Sequence, residues 1–482
     1  MVKKIEQRLN GLKRWHCLAI LLLLQIGSHV WYLNLPAVGN HVWRQCNTLA
    51  VARNYAQEDM NILYPRIDKR YNTNGITGPQ FTSYDYTLAV AYKVFGFSQN
   101  LHRYLSLIIG ILAIVGIFYL SQYYFKNQFY SFLSGIAFIG IPEFYYHSIN
   151  AVPDLLALAC MVWGWYFYLK FLDAPVFLNG LLTTLFLSLA GMTKIMFLMP
   201  GFIFMGDIVA QRRYKTLNFI WIVAMGVVVL LLSLGWYYWA KILTSMNGIY
   251  EFVHEIRFIE GGLMKLKTLA VNVFSDLPET WVGYGLLFAF LIGLKEAMTN
   301  KLRDSRFLGV FVGIVLFYVA MQYQLRIHGY YTLVFAPFVV LLSIYGLRQI
   351  KSTKLAALAI ILILISPVWA WLRMNRNWQP ENWRVSHTLI DNQEKVAKLS
   401  SLKQRWIVGL DQSGCVDFYY LQAKGFPWYN LGEKSDLFDK FRKDGAEGLI
   451  TNDTLHAQQY FRELKWQPKV VGNVGEYWWI IF

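Results

Sequence analysis

"RYLSLIIGILAIVGIFYLSQYY", residues 103–124, decides the fold. As a helix these residues rise about 33 Å, enough to cross a hydrocarbon core of about 30 Å. Arg103, at the first position, is their single charge. Stretches of the same kind lie at 15–35, 129–147, 153–171, 177–193, 195–210, 216–238, 280–297, 307–325, 331–347 and 355–373. Together they predict eleven transmembrane helices and a polytopic α-helical membrane protein.

Composition agrees. The chain of 482 residues is 56% hydrophobic and only 15% charged, and its charges sit in short islands between the apolar runs. The net charge of +16 fits lysine and arginine anchors at a membrane surface. Those residues are spread over many loops and form no single patch, so nucleic acid is not the expected partner. Cys17, Cys46, Cys160 and Cys415 show neither paired nor metal spacing, which predicts no disulfide framework and no zinc site.

The basic start "MVKKIEQRLNGLKRWH" runs into a long apolar segment with no small-x-small cleavage site after it, and is read as a retained first helix with a cytoplasmic N-terminus. An odd number of helices then puts the tail outside. Lys126, Lys170, the Arg212–Arg213–Lys215 cluster, the 295–306 group and Arg348, Lys351 and Lys354 all fall on the cytoplasmic side, as the positive-inside rule requires. The basic segment 36–102 is predicted outside, and its length takes it beyond the reach of that rule. Residues 81–97, "FTSYDYTLAVAYKVFGF", are read as an interfacial helix with Asp85 and Lys93 on its polar side, because a twelfth span would invert every downstream charge.

The last hundred residues change character. "RWIVGLDQ", "GLITND" and "YWWIIF" read as strands, and "SDLFDKFRKDG" and "TLHAQQYFRELK" as amphipathic helices. The expected division is 1–374, a membrane domain that includes the outer loop 36–102 with its interfacial helices, and 375–482, a small extracytoplasmic α/β domain. Localisation follows as a multi-pass protein of the inner cell membrane. A transporter would show charges within its spans and inverted repeats, and the sequence reading finds neither.

Four outer elements carry candidate chemistry. "HVWRQCNTLAVARNY", residues 41–55, masses Trp43, Arg44, Gln45, Asn47 and Arg53 beside the bilayer, as a polar headgroup would require; nonspecific contact with lipid phosphates is the plainer reading. "HSINAVPD" ends on Asp154, for which a helix-start role is the plainer reading. "GMTKI" places Lys194 in a tight turn, where it either snorkels or offers a point charge to a phosphate. "RIHGYY" gathers His328, Tyr330 and Tyr331, residue types that also serve as interfacial anchors. All four fall on one face, so they are expected to line one cavity.

On these residues the chain resembles the GT-C superfamily of glycosyltransferases that use polyprenyl-phosphate sugars, most of all the families holding dolichyl-phosphate-mannose protein mannosyltransferases and bacterial aminoarabinose transferases. The echoes are "WRQCNTLAVARNY" with "MNILYPRID", "TGPQFTSYDY", "HRYLSLIIGIL", "PD" at 153–154, "TK" at 193–194 and "HGYY" at 328–331. The resemblance implies a GT-C fold and inverting hexosyl or pentosyl transfer from a polyprenyl-phosphate donor to a lipid, glycan or protein acceptor. It also implies a base in the first outer loop.

The chain departs from that pattern at three positions. Asn47, Gln80 and Gly329 stand where the resemblance leads one to expect acids. Amides accept no proton at neutral pH and ligate divalent cations poorly, so a divalent cation is left without its usual ligands. The candidate catalytic residues are then Asp154, Asp85 and Asn47, with Asn47 at the place of the expected base and Asp85 or Asp154 doing the work of the missing acid, while Gln80 is kept for binding. The alternative is a catalytically silent paralogue that binds lipid-linked sugar. Arg44, Arg53, Arg66, Lys69, Arg70 and Lys194 offer cations for the donor phosphate, with Arg44 and Lys194 favoured.

Overall fold

Each of the eleven apolar stretches is helical in the computed structural model, which describes residues 2–212, 218–249, 266–300, 305–378, 385–409, 414–428 and 435–482. Arg213, Lys215 and part of the 295–306 group lie outside the described residues. Among the described residues seven helices are long and apolar enough to cross a membrane, including Leu101–Phe125, Asp154–Asp173, Asn218–Asn247 and Thr353–Trp378. Thr268–Trp281 and Tyr284–Asn300, which meet at 118°, are apolar enough to make an eighth crossing if the pair counts as one broken span. The remaining three stretches hold the shorter apolar helices Gln128–Ile139, Phe177–Thr193 and Ile195–Ala210. The chain is a multi-pass membrane protein. Helix Ser83–Phe95 has 13 residues, and its rise of about 20 Å is too short to span, as expected for an interfacial segment.

The chain divides into two compact units. The first comprises Met1–Asn34, Arg103–Tyr237 and Glu255–Trp378. Its helices approach closely through glycines, as lipid-embedded bundles without a strong hydrophobic drive require. A Cβ on Gly346 would lie 2.1 Å from the Ala289 carbonyl oxygen, and one on Gly293 2.1 Å from that of Leu342, so Tyr284–Asn300 and Ala336–Gln349 pack backbone to backbone. Arg103 is fully buried and donates to the Ile149 carbonyl at 3.1 Å and to the Asn150 side-chain oxygen. The one charge of the fold-deciding stretch thus pins the turn that leads into Asp154. Gln25 and His29 brace the same turn from the first long helix, through the Ser148 hydroxyl at 2.8 Å and the Tyr145 carbonyl at 2.9 Å.

The second unit comprises Leu35–His102, Tyr238–His254 and Gln379–Phe482. The sequence reading attached 36–102 to the membrane helices, whereas its contacts group it with the tail. Within the tail, strands β1 (Trp406–Gly409), β2 (Gly425–Trp428), β3 (Gly448–Thr451), β4 (Lys469–Val474) and β5 (Tyr477–Ile481) form one sheet of order β2-β1-β3-β5-β4. β1 is parallel to β2 and β3, while β5 is antiparallel to β3 and β4. Helices Ser435–Lys443 and Thr454–Glu463 cover it with Phe438, Phe441, Tyr460 and Phe461. β1, β3, β5 and both helices fall on the expected segments, although residues 410–412 of "RWIVGLDQ" lie outside the described ones. β2 and β4 went unread because Gly425, Pro427 and Gly472 dilute their alternation.

The outer loop joins the sheet through backbone bonds. Gly425 accepts from the Arg70 and Tyr71 amides at 3.0 and 2.8 Å and donates to the Asp68 carbonyl at 3.1 Å. Gly425 has φ +143°, and a Cβ there would lie 2.3 Å from the Trp406 carbonyl oxygen, so only glycine permits this three-way approach. Residues 68–71 therefore meet the sheet at the start of β2, through a single bridge that sets Lys69 beside Gly425.

Candidate functional site

In the first unit, the helix Asp154–Asp173 opens directly on Asp154, with Pro153 before it. The Asp154 side chain is fully buried and does not cap its own helix. Its Oδ1 meets Lys194 Nζ at 2.5 Å, and its Oδ2 has no hydrogen-bond partner among the described residues. Lys194 ends helix Phe177–Thr193 in extended backbone, at φ −154° and ψ 126°, where the negative end of the helix dipole favours a cation. Its side chain points inward rather than snorkelling, with 14% of its surface exposed.

The "HGYY" turn closes over this pair. Lys194 Nζ lies 3.8 Å from the centre of the Tyr331 ring and 4.7 Å from that of Tyr330, which is cation–π distance. His328 stacks on both rings at 5.4 and 5.7 Å. His147 meets Tyr330 edge-on at 5.8 Å. The Tyr237 hydroxyl accepts the Ile195 amide at 3.0 Å and holds the break that exposes Lys194 to this cage. Asp154, Lys194, His328, Tyr330 and Tyr331, from three separate segments, are thus brought together.

Glu143 belongs to the same cluster and was missed in the sequence. It is 5% exposed, and its Oε2 lies 3.3 Å from His147 Nε2, one helical turn on. The sequence reading counts no charge within the spans, yet Glu143 lies in the apolar stretch 129–147. An ionisable residue inside such a stretch, spaced four from a histidine, is the signal that finds it.

The second unit holds the first-loop residues. Helix Val42–Gln57 is buried over most of its length, so its polarity is answered inside the protein. Gln45 Nε2 donates to the Val38 carbonyl at 3.1 Å. Arg53 donates to Asp68 Oδ2 at 2.6 Å and to the Tyr419 carbonyl at 2.8 Å, while Asn54 donates to Asp68 Oδ1 at 2.9 Å. Arg70 makes a two-pronged contact with Glu58 at 2.7 and 3.0 Å, Lys424 contacts the same carboxylate, and Arg66 reaches Asp59 at 3.3 Å. Arg53, Arg66 and Arg70 therefore have carboxylate partners of their own. Arg44 and Asn47 are buried, whereas Trp43 and Gln80 are partly exposed.

Asp85, in the first turn of Ser83–Phe95, is 4% exposed, so it does not share the exposed polar face of Lys93 as the sequence suggested. Two residues eight apart on a helix differ by about 80° around its axis, enough to separate a buried from an exposed position. The Oδ2 of Asp85 has no hydrogen-bond partner among the described residues. Burial pushes its carboxyl up to about 7, against the opposing field of Arg44 and a bond from its own amide. Among the described residues no three His, Cys, Asp or Glu side chains converge as a bound cation would require. The acid positions that the resemblance assigns to a cation are amide and glycine here, so these residues do not fit that group.

Residues 82–239, which include Asp85, Asp154 and Lys194, match the protein family described as dolichyl-phosphate-mannose-protein mannosyltransferase. The crystal structure of ArnT from Cupriavidus metallidurans bound to undecaprenyl phosphate superposes with TM-score 0.65 at 13% identity, covering 96% of this chain and 97% of that one. The chain has the GT-C fold. The apo state of ArnT gives TM-score 0.64 at 12% identity, with 96% of each chain covered. The Archaeoglobus fulgidus oligosaccharyltransferase in complex with Zn and sulfate gives 0.60 at 13% identity, covering 93% of this chain and 69% of that one. No curated protein matches by sequence. The resemblance to GT-C glycosyltransferases read from the motifs thus holds for the fold, including the small sheet domain at the end of the chain.

Proposed function

We propose that this GT-C protein is a glycosyltransferase that moves a sugar from a polyprenyl-phosphate donor to a hydroxyl or amine acceptor on the outer face of the membrane, with inversion. The observation that carries the reading is Lys194, an inward-facing cation held between Asp154 and the rings of Tyr330 and Tyr331 in a membrane-spanning unit. A lysine turned inward within a membrane-spanning unit, with only 14% of its side chain exposed, is costly and marks a functional site by default. A departing lipid phosphate is the anion that such a point charge suits. ArnT, whose fold the chain shares, was crystallised with undecaprenyl phosphate.

Two carboxylates compete for the proton of the acceptor. Asp154 has one oxygen committed to Lys194, whereas Asp85 carries a carboxyl near 7, matched to a general base at neutral pH. Asp85 is therefore assigned the base. The rate should climb as pH rises through about 7, because the base works only when ionised. The sign for stability is opposite. The folded value lies above the ordinary 3.8, so the contribution of Asp85 is complete below that value and is lost as pH rises through about 7. Membranes assayed with a radiolabelled lipid-phosphate sugar check both residues. Asp85→Asn is expected to remove the pH dependence and at least about 100-fold of the rate. If Asp154→Asn does so while Asp85→Asn leaves rate and profile intact, the base is Asp154.

The substitution of acids by Asn47, Gln80 and Gly329 favours a second reading, a silent paralogue that binds lipid-linked sugar. If wild-type membranes transfer nothing and Asn47→Asp/Gln80→Glu gains transfer, that reading replaces the first. Topology has its own check. With the N-terminus cytoplasmic, single cysteines at Lys126 and Arg212 should label from the cytoplasm, and one at Ile195, the exposed neighbour of Lys194, from outside; reversed labelling overturns the proposed orientation.

A further inference from the structure

Gly329 needs no side chain for a reason other than backbone conformation. Its φ is not in the left-handed region, so other residues tolerate the geometry. The space is what excludes them: a Cβ at 329 would lie 2.3 Å from Glu143 Oε1 and 2.8 Å from Oε2 and the carboxyl carbon. A carboxylate from another segment occupies the volume into which a side chain at 329 would project.

Burying that carboxylate costs several kcal/mol unless it is engaged. Its Oε2 lies 3.3 Å from His147 Nε2, in contact but without hydrogen-bond geometry, and the field of Arg373, itself paired with Glu279 at 2.6 Å, offsets part of the cost of burial. His147 in turn sits edge-on to Tyr330, whose ring faces Lys194. Glu143 thus touches the cage by two routes, through the His147 ring and through the backbone of the residue preceding Tyr330. The other ionisable groups around His147 are Asp154 and Lys194.

We propose that Glu143 is the positioning residue of the lysine site: its carboxylate, seated where a side chain of residue 329 would be, locks His147 and the 329–331 turn so that Tyr330 and Tyr331 hold Lys194 toward a polyprenyl phosphate. The inference rests on the reading of Lys194 as the phosphate group's partner. It requires a carboxylate at that place and is indifferent to which segment supplies it.

A carboxylate exchange tests this. Purified full-length protein in detergent is titrated with undecaprenyl phosphate, and thermal unfolding of each variant is recorded alongside. Glu143→Ala, which empties the space, and Gly329→Asp, which puts two carboxylates into it, should each weaken binding about tenfold or more. The double variant Glu143→Ala/Gly329→Asp, with one carboxylate restored from the other segment, should return to within about threefold of wild type, whereas Glu143→Ala/Gly329→Asn, which refills the space without the charge, should stay weak; a merely space-filling role would let both recover. Glu143→Gln keeps the shape and loses the charge, so it should weaken binding at an unchanged unfolding temperature and serves if Glu143→Ala does not fold. The inference is overturned if Glu143→Gln binds like wild type, or if the double variant binds no tighter than the single ones while unfolding at the same temperature. If wild type itself shows no saturable binding, the phosphate reading of Lys194 fails and takes this inference with it, a result recognisable without any variant.

Discussion

Lys194→Met is expected to lower kcat/KM for the lipid-phosphate sugar by about 100-fold to 1,000-fold, the usual cost of removing one charged group that meets a developing anion. The variant also leaves Asp154 fully buried without its cation, which should cost about 3–5 kcal/mol of stability. The two effects can be separated. Lys194→Met/Asp154→Leu removes both charges and should regain most of the stability, because a buried pair exchanged for apolar groups of similar size is close to neutral. Transfer should stay lost. If either variant keeps transfer within tenfold of wild type, Lys194 is not the phosphate's partner and the pair is a structural clasp between two helices.

The second large effect lies in the outer loop and is one of stability. Arg53→Ala should destabilise the second unit by about 3–5 kcal/mol, because it strands Asp68 as a buried carboxylate and leaves the Tyr419 carbonyl unanswered. Both side chains of that ion pair are only 2% exposed, so solvent screening does not dilute it. Arg66→Ala, in a pair with 18% and 43% of its side chains exposed, should cost no more than about 1 kcal/mol. Hydrogen exchange over residues 406–428 reads the difference, since the loop is bonded to the strand edge at Gly425. An Arg53→Ala variant that keeps its exchange protection but loses donor binding would show that Arg53 serves the ligand instead.

The contrast between these two cations shows how far the residues alone could be read. Both are basic groups beside apolar segments, and "GMTKI" and "VARNY" differ little in what they promise. Lys194 lies under an aromatic cage because the "HGYY" turn, well over a hundred positions later, folds over it, whereas Arg53 found Asp68 within its own loop. Glu143 was passed over because a lone acid in an apolar run looks like an interruption of the pattern, and its meaning depends on His147 and on the space beside Gly329. Asp85 reads as exposed in the sequence and is buried in the fold, since helical spacing fixes angles between side chains but not which angle faces the core.

Hydrophobic run lengths, charge bias and the compositional change after the last apolar helix are properties of segments, and each is enforced locally by the cost of placing backbone and charge in hydrocarbon. For that reason the membrane class, the positions of the helices and the presence of a terminal α/β domain follow from the chain as written. The grouping of the outer loop with that domain, the closing of two tyrosines over Lys194 and the carboxylate that fills the place of a side chain at 329 depend on contacts between residues tens to hundreds of positions apart. Their energies are set by packing and by which buried charges find each other, quantities that exist only once the chain has folded.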